Sequence, residues 1–142
     1  MKEVFGNAMV LRKDYTYLAV TTNGFVKKNG SAVMGAGIAK AVANEDPKAP
    51  AILGLKIKTN GNIVQKIYSN VISFPVKHNW YEEADIELIK KSCIQLMKLI
   101  GPEDMVLLPR PGCGNRKLKW EEVKPIIEPL LDDRVSVVHW IK

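Results

Sequence analysis

The stretch that decides the fold is Asn29–Lys40, which reads N-G-S-A-V-M-G-A-G-I-A-K. It lies between Tyr17–Thr22, a short run of strand-forming residues, and Ala36–Asn44, an alanine-rich segment that fits a helix ending before Pro47. Its glycines let the backbone approach a ligand closely, and the helix that follows offers unpaired N–H groups and a positive dipole end. That combination suits a phosphate or diphosphate. On glycine content alone, a strand-to-helix loop without any ligand explains the stretch equally well.

Two better-known nucleotide motifs are excluded by particular residues. A P-loop requires Gly-Lys-Ser/Thr after its glycines, whereas Gly35 is followed by Ala36 and Gly37. A dinucleotide-binding fingerprint requires a third glycine where Lys40 stands. It also requires an acidic residue about 20 positions later, where this chain reads A-I-L-G-L-K.

A second glycine-containing loop, Pro109–Leu118, repeats the strand–loop–helix arrangement. It follows the short apolar strand Met105–Leu108 and precedes a helix predicted over about Trp120–Leu131. Loops at the carboxyl ends of strands in an open α/β sheet converge on one crevice, so the two loops could hold the two ends of a diphosphate. Cys113 in this loop is interpreted as a small lining residue rather than a nucleophile, since no neighbouring base is evident. The basic residues of the loop could meet phosphate, although such loops are more often merely solvated: Arg110, Arg116 and Lys117.

The remaining segments complete an alternating α/β pattern. Glu83–Ile100 carries an apolar stripe at three- and four-residue steps, which predicts a helix and places Cys93 in the core. The Asn-Gly between Ile52–Lys58 and Ile63–Ile72 predicts a β-hairpin, and therefore a mixed sheet. Val135–Ile141 is predicted to be the last strand. Ile72–Tyr81 connects a strand to the long helix, and for His78 in this segment the favoured interpretation is a surface position.

Composition excludes several classes of protein. The 142 residues, 46% of them hydrophobic, predict one globular domain without a membrane span or signal peptide, and so a cytoplasmic location. The two cysteines and two histidines show no metal-ligand spacing, so we expect neither a metal nor another cofactor. The net charge of +6 favours anionic partners. With no coiled-coil pattern, a monomer is expected.

The three segments together resemble the macro domain family. Val33–Ala39, V-M-G-A-G-I-A, is similar to the family's V-M-G-K/A-G-I-A stretch, and Phe74–Trp80, F-P-V-K-H-N-W, resembles the F-P-T-K-x-x-W segment of one branch. Pro111–Trp120 resembles the G-C-G-x-G-G-L-x-W loop, with Arg116 and Lys117 in place of the family's two glycines. The resemblance implies a three-layer α/β/α sandwich with a mixed, mostly parallel sheet. It also implies an ADP-ribose ligand in a cleft across the strand ends.

The resemblance implies a set of binding residues. Asn7 would read the adenine, Asn23 would face the distal ribose, and the two loops would hold the diphosphate. The loop positions implied are Val33, Met34, Gly35, Ala36, Gly37, Ile38, Pro109, Pro111, Gly112, Cys113, Gly114, Asn115 and Arg116.

The activity within the family stays open at this point. The F-P-x-K-x-x-W branch resembles DNA ADP-ribosyl glycohydrolase antitoxins and ADP-ribose 1″-phosphate phosphatases, which implies catalysis by Lys77 with Asn23 and His78. A lysine attacks or protonates the distal ribose only if burial or a nearby cation lowers its pKa. The aspartate of the protein-glutamate deacylating branch is absent, since this loop carries Asn115 and Arg116. Three hypotheses follow: a hydrolase acting on an ADP-ribose derivative, with ADP-ribosylated nucleic acid or protein among its substrates; a non-catalytic ADP-ribose reader; and, least favoured, a basic nucleic-acid-binding domain.

Overall fold

The computed structural model describes residues 1–114 and 118–140. Within them, the strands form one sheet in the order β1-β6-β5-β2-β4-β3. Its pairs are parallel except β3 with β4. The strands are β1 Lys2–Gly6, β2 Tyr17–Asn23, β3 Gln65–Tyr68, β4 Val71–Lys77, β5 Val106–Pro109 and β6 Val135–Trp140. The helices are α1 Ala8–Leu11, α2 Gly37–Glu45, α3 Ala49–Asn60, α4 Ile86–Leu99 and α5 Trp120–Ile127, with 3₁₀ turns at Arg12–Asp14 and Glu128–Leu130.

Both faces of the sheet are covered, which makes three layers. In β5, Leu108 packs in a core with α4 and α5, whereas its neighbour Leu107 packs in a second core with α1, α2 and α3. Alternate side chains of a strand point to opposite faces, so a central strand between two helical layers is apolar throughout. The predicted α/β/α sandwich with a mixed, mostly parallel sheet is therefore confirmed. No described helix is long and apolar enough to cross a membrane.

The long helix α4 forms as its sequence pattern predicts. It begins at Ile86 rather than Glu83, because the Asp85 side chain accepts a hydrogen bond from the Glu87 amide at 2.9 Å and caps the first turn. Cys93 is fully buried in the core beneath this helix, so its predicted packing role is confirmed. Burial raises the pKa of the Cys93 thiol to about 12.

The predicted hairpin around Asn60 and Gly61 is wrong. Ile52–Lys58 lies inside α3, and Gly61 ends that helix with a φ of +94°, a conformation that favours glycine. The helix packs closely against a neighbouring loop, since a Cβ on Gly54 would overlap the Gly30 carbonyl oxygen. The sheet is nonetheless mixed, because the antiparallel pair is β3 with β4, joined through residues 69–70.

The strand boundaries near the F-P-V-K segment also differ from the prediction. Phe74–Lys77 is the second half of β4, not a connection that follows a strand. Proline is accepted there because β3 pairs with β4 only as far as Ser73, which leaves Pro75 on an unpaired edge on that side. The first strand, β1, is absent from the sequence prediction. Its pattern K-E-V-F-G alternates weakly, with Phe5 64% exposed.

Candidate ligand cleft

A cleft of about 830 Å³ crosses the carboxyl ends of β4, β2, β5 and β6. The two glycine-containing loops form its walls, one leading into α2 and the other into α5. The sequence prediction that these loops face one crevice is thus met by the structure. The described lining residues are Thr21, Thr22, Asn23, Val33, Gly35, Ala36, Gly37, Ile38, Ala39, Val76, Lys77, Trp80, Pro109, Arg110, Gly112, Cys113, Gly114, Leu118, Lys119, Trp120, Glu121, Val138, His139 and Trp140.

The first loop leaves open backbone on the cleft wall. Gly35 and Gly37 are both exposed, and a Cβ built on either would have no described residue within 4 Å other than its chain neighbours. Gly37 starts α2 with a φ of +57°, and the preceding Ala36 supplies no side-chain cap. The first amides of α2 therefore carry unpaired donors at the positive end of the helix dipole.

Asn23, at the end of β2, fixes this loop to the sheet. Its Nδ2 donates to the Val33 carbonyl at 3.1 Å, and its Oδ1 accepts from the Phe25 amide at 3.0 Å. Met34 points the other way, into the core next to α2, and is absent from the described lining. The loop is thus anchored at Val33 and Met34, directly before Gly35, and its exposed glycines face the cleft.

The second loop combines a packed glycine with an open one. Gly112 has a φ of +76°, and a Cβ there would lie 2.8 Å from Ile89 Cδ1. Gly114 is exposed, and a Cβ there would meet no described residue beyond its chain neighbour within 4 Å. Pro111 is buried outside the described lining. The predicted contacts of Asn115 and Arg116, and the neighbouring Lys117, lie outside the described residues.

Cys113 is a thiol in this wall rather than a thiolate. It is half-buried, and its Sγ lies 3.5 Å from the Pro111 carbonyl oxygen. Burial raises the pKa of Cys113 to about 11, against the smaller opposing effect of the Arg110 charge. The thiolate is the nucleophilic form, so this position is suited to lining the loop.

Lys77 and Trp80 form one end of the cleft. A register shift after Thr22 places Asn23 opposite Lys77, so the last residues of β2 and β4 lie side by side. Trp80 is 51% exposed and packs edge-on against Tyr81.

His78 is not among the described lining residues. Its Nε2 lies 2.8 Å from Asp85 Oδ2, and this hydrogen bond is the main cause of a lowered pKa at Asp85. The contact ties the segment after β4 to the capping residue of α4. A catalytic role for His78 stays a prediction that this arrangement does not favour.

The opposite end of the cleft holds an aromatic and charged cluster that sequence reasoning missed. The Arg110 guanidinium lies 4.8 Å from the centre of the Trp120 ring, within cation–π range. Trp120 Nε1 donates to Glu3 at 3.3 Å, and Lys124 forms an ion pair with the same carboxylate at 2.6 Å. This hydrogen bond with Lys124 lowers the pKa of Glu3. Only the pairing of β1 beside β6 brings Glu3 here, so no local sequence signal indicates it.

Asn7 lies near this end but has a local hydrogen bond. Its Oδ1 accepts from the Met9 amide at 2.9 Å and caps α1. The residue is exposed, directly after the end of β1, and is not among the described lining residues. Its predicted contact with adenine stays a prediction. His139 and Trp140, from the end of β6, line this part of the cleft instead.

Comparison with solved structures identifies the fold. The chain is similar to the macrodomain of Mycobacterium tuberculosis DarG, with a TM-score of 0.75 and 24% identity over 96% of each chain. The macrodomain of Thermus aquaticus DarG gives a TM-score of 0.68 and 23% identity, covering 99% of this chain and 98% of the other. Thermosipho africanus DarTG, solved in complex with ADP-ribose, gives a TM-score of 0.70 and 19% identity over 97% of this chain and 41% of the other. No protein-family model and no curated protein matches the sequence. Two glycine loops that converge at the carboxyl ends of a mixed α/β/α sheet, together with these neighbours, show that the chain has the macrodomain fold, as its motifs predict.

Proposed function

We propose that the cleft binds ADP-ribose and that the chain hydrolyses an ADP-ribose derivative at the 1″ position of the distal ribose. The proposal that ADP-ribose binds rests on one observation. The backbone is accessible at Gly35, Gly37 and Gly114, on two cleft walls that face each other. Backbone N–H groups with no Cβ beside them can approach a diphosphate closely, and its oxygens accept several short hydrogen bonds. The solved complex of Thermosipho africanus DarTG with ADP-ribose supports this choice of ligand.

The size and charge of the cleft agree with such a ligand. A volume of about 830 Å³ falls within the range of roughly 300–1,000 Å³ that is usual for small-molecule sites. Its described lining carries three cations, Lys77, Arg110 and Lys119, against the single carboxylate of Glu121. The field in the cleft therefore favours an anion.

The two ends of the cleft suggest an orientation. The aromatic end, with Trp120 and Trp140, offers flat apolar surfaces to the adenine. The distal ribose then lies at the other end, near Asn23 and Lys77. In this orientation Lys77 is the described ionisable side chain that lies at the reacting carbon, which is why we assign catalysis to it.

The reader hypothesis remains as a second candidate, on a specific observation. At the Lys77 end, the described lining contains no carboxylate or imidazole that could act as a general base. His139 and Glu121 belong to β6 and α5, at the aromatic end. A cleft with this composition binds ADP-ribose whether or not Lys77 turns it over.

Turnover assays on three substrates separate these functions: ADP-ribose 1″-phosphate, ADP-ribosylated DNA and ADP-ribosylated protein. We expect release of ADP-ribose from at least one of them, lost in Lys77→Ala while calorimetry still shows ADP-ribose binding. Lys56→Ala, on α3 outside the cleft, is the matched control and keeps full turnover. No turnover on any substrate, with ADP-ribose bound, establishes the reader.

The basic nucleic-acid-binding hypothesis predicts a different result. Affinity for unmodified DNA would fall steeply with added salt, and ADP-ribose would not compete. That outcome, without any ADP-ribose binding, would overturn the proposal. The cytoplasmic location and the monomeric state expected from the sequence stay predictions.

A further inference from the structure

Asn62 is joined to the end of β4 by its side chain. Its Nδ2 donates to the Lys77 carbonyl oxygen at 3.1 Å, across 15 positions of sequence. The residue is partly buried and follows Gly61, whose positive φ ends α3 and turns the chain toward the sheet. The Asn-Gly signal that falsely predicts a hairpin thus lies immediately before a contact with a cleft residue.

Gly24 provides the room for this contact. A Cβ on Gly24 would lie 2.7 Å from Asn62 Nδ2 and 2.8 Å from its Cγ, closer than such atoms approach in proteins. The Gly24 amide also donates to the His78 carbonyl at 3.1 Å. The Lys77 carbonyl is therefore held by a side chain for which Gly24 leaves room, and the His78 carbonyl is held by the backbone amide of Gly24.

The end of β4 needs these hydrogen bonds because its pairing with the neighbouring strands is incomplete or irregular there. β3 pairs with β4 no further than Ser73, and the register with β2 shifts between Thr22 and Asn23. A backbone carbonyl beyond the regular ladder still requires a donor, and the Asn62 carboxamide supplies it to Lys77. Asn23, opposite Lys77, is itself tied to the first glycine loop through Val33.

We infer that Asn62 is a positioning residue for Lys77. Its carboxamide fixes the last backbone unit of β4, and with it the direction in which the Lys77 side chain enters the cleft beside Asn23. The effect of this on turnover rests on the proposed function. The positioning itself does not, since it concerns the placement of one amine in the unliganded chain.

Two substitutions remove the donor in different ways. Asn62→Ala deletes the carboxamide, whereas Asn62→Asp keeps its size and presents only acceptors to the Lys77 carbonyl. The matched control is Asn60→Ala, which deletes another partly buried carboxamide bond, to Gln65 at 2.8 Å, without touching Lys77. Thermal melts establish that each variant is folded.

The kinetic experiment measures kcat and the Kd for ADP-ribose separately for each variant. Misplacement of a reacting group by about 1 Å can lower a rate by on the order of 100-fold, so we expect kcat to fall about 10- to 100-fold in both Asn62 variants. The Kd for ADP-ribose should stay at the wild-type value, because the diphosphate loops are untouched. Asn60→Ala should keep both values.

A second readout requires no turnover. Lys77 is acetylated with a mild amine-reactive reagent, and its modification is quantified by peptide mass spectrometry relative to Lys56 in the same sample. This ratio reports how reactive the Lys77 amine is in its position. We expect a several-fold change in this ratio in Asn62→Ala and Asn62→Asp, and none in Asn60→Ala. A changed ratio with unchanged kcat supports the positioning and removes Lys77 from the proposed catalysis. An unchanged ratio in both Asn62 variants overturns the inference, whatever happens to kcat.

Discussion

The sharpest test of the cleft is Gly35→Ala, because the structure separates its effect on folding from its effect on binding. Gly35 is exposed on the cleft wall, and its φ lies outside the left-handed region that favours glycine. Apart from its chain neighbours, a Cβ there meets no described atom within 4 Å. The added methyl group therefore fits the unliganded protein and occupies space in which we place the diphosphate.

The two expected effects have opposite signs. Replacing glycine by alanine where the backbone is compatible raises the free energy of unfolding by about 0.4–1 kcal/mol, because the unfolded chain loses freedom. Binding should weaken, since a methyl group holds a phosphate away from the amides of the loop. One hydrogen bond to a charged group contributes about 1.5–3 kcal/mol. Its loss corresponds to a Kd for ADP-ribose that is roughly 10- to 150-fold higher.

Calorimetry with ADP-ribose and urea unfolding measure the two quantities on the same protein. Gly61→Ala is the matched control: its φ of +94° and ψ of −179° make alanine unfavourable by about 1–3 kcal/mol, its Cβ also meets open space among the described residues, and it is not a described lining residue. We expect this variant to lose stability and keep its affinity. The reasoning is refuted if Gly35→Ala binds ADP-ribose as tightly as wild type while its free energy of unfolding is unchanged or raised.

Three further predictions concern the core, the aromatic end and the second loop. Leu96→Ala should lower the free energy of unfolding by about 2–5 kcal/mol in urea denaturation, because Leu96 is fully buried, whereas Leu99→Ala, 39% exposed, should change it little. Glu3→Gln should lower stability slightly and weaken ADP-ribose binding through Trp120. Because the pKa of Glu3 is depressed below its ordinary 4.5 in the folded state, the stability difference from wild type should be full above that pH and vanish as the pH falls through the folded value. Cys113, with a pKa of about 11, should react with iodoacetamide far more slowly at pH 8 than a free cysteine in a peptide, as mass spectrometry can follow. Alkylation of folded Cys113 at the rate of the peptide would contradict its burial.

Sequence patterns predict the parts of this fold in which local and tertiary signals agree. The apolar stripe around Cys93 specifies both a helix and the face that it buries, so α4 is found where it is expected. The glycine loops follow strands and precede helices, and parallel pairing alone brings such loops to one edge of a sheet. Neither inference depends on a contact between distant side chains.

The wrong sequence predictions, by contrast, depend on contacts between residues that are distant in the sequence. Asn60 and Gly61 suit a hairpin turn and a helix C-terminus equally well, and in the structure they end α3, which packs closely at Gly54 against another loop. His78 has a residue type suited to catalysis, yet Asp85, seven positions later, takes its imidazole away from the cleft. The contact of Gly54 and the hydrogen bond of His78 both arise from the tertiary structure, and the residue types alone do not indicate them.

Glycine content leaves a binding loop and an empty loop equally plausible, and the space around each glycine favours the binding loop. Gly112 is required by the protein itself, because its φ is positive and a Cβ would press on Ile89 and Ala84. Gly35 has neither constraint: its φ lies outside the left-handed region, and nothing in the described chain beyond its neighbours fills the volume beside it. A glycine that folding does not require, on a cleft wall at the start of a helix, is what we expect where a ligand comes close to the backbone. Substitution at Gly112 therefore reports on packing, and substitution at Gly35 reports on the ligand.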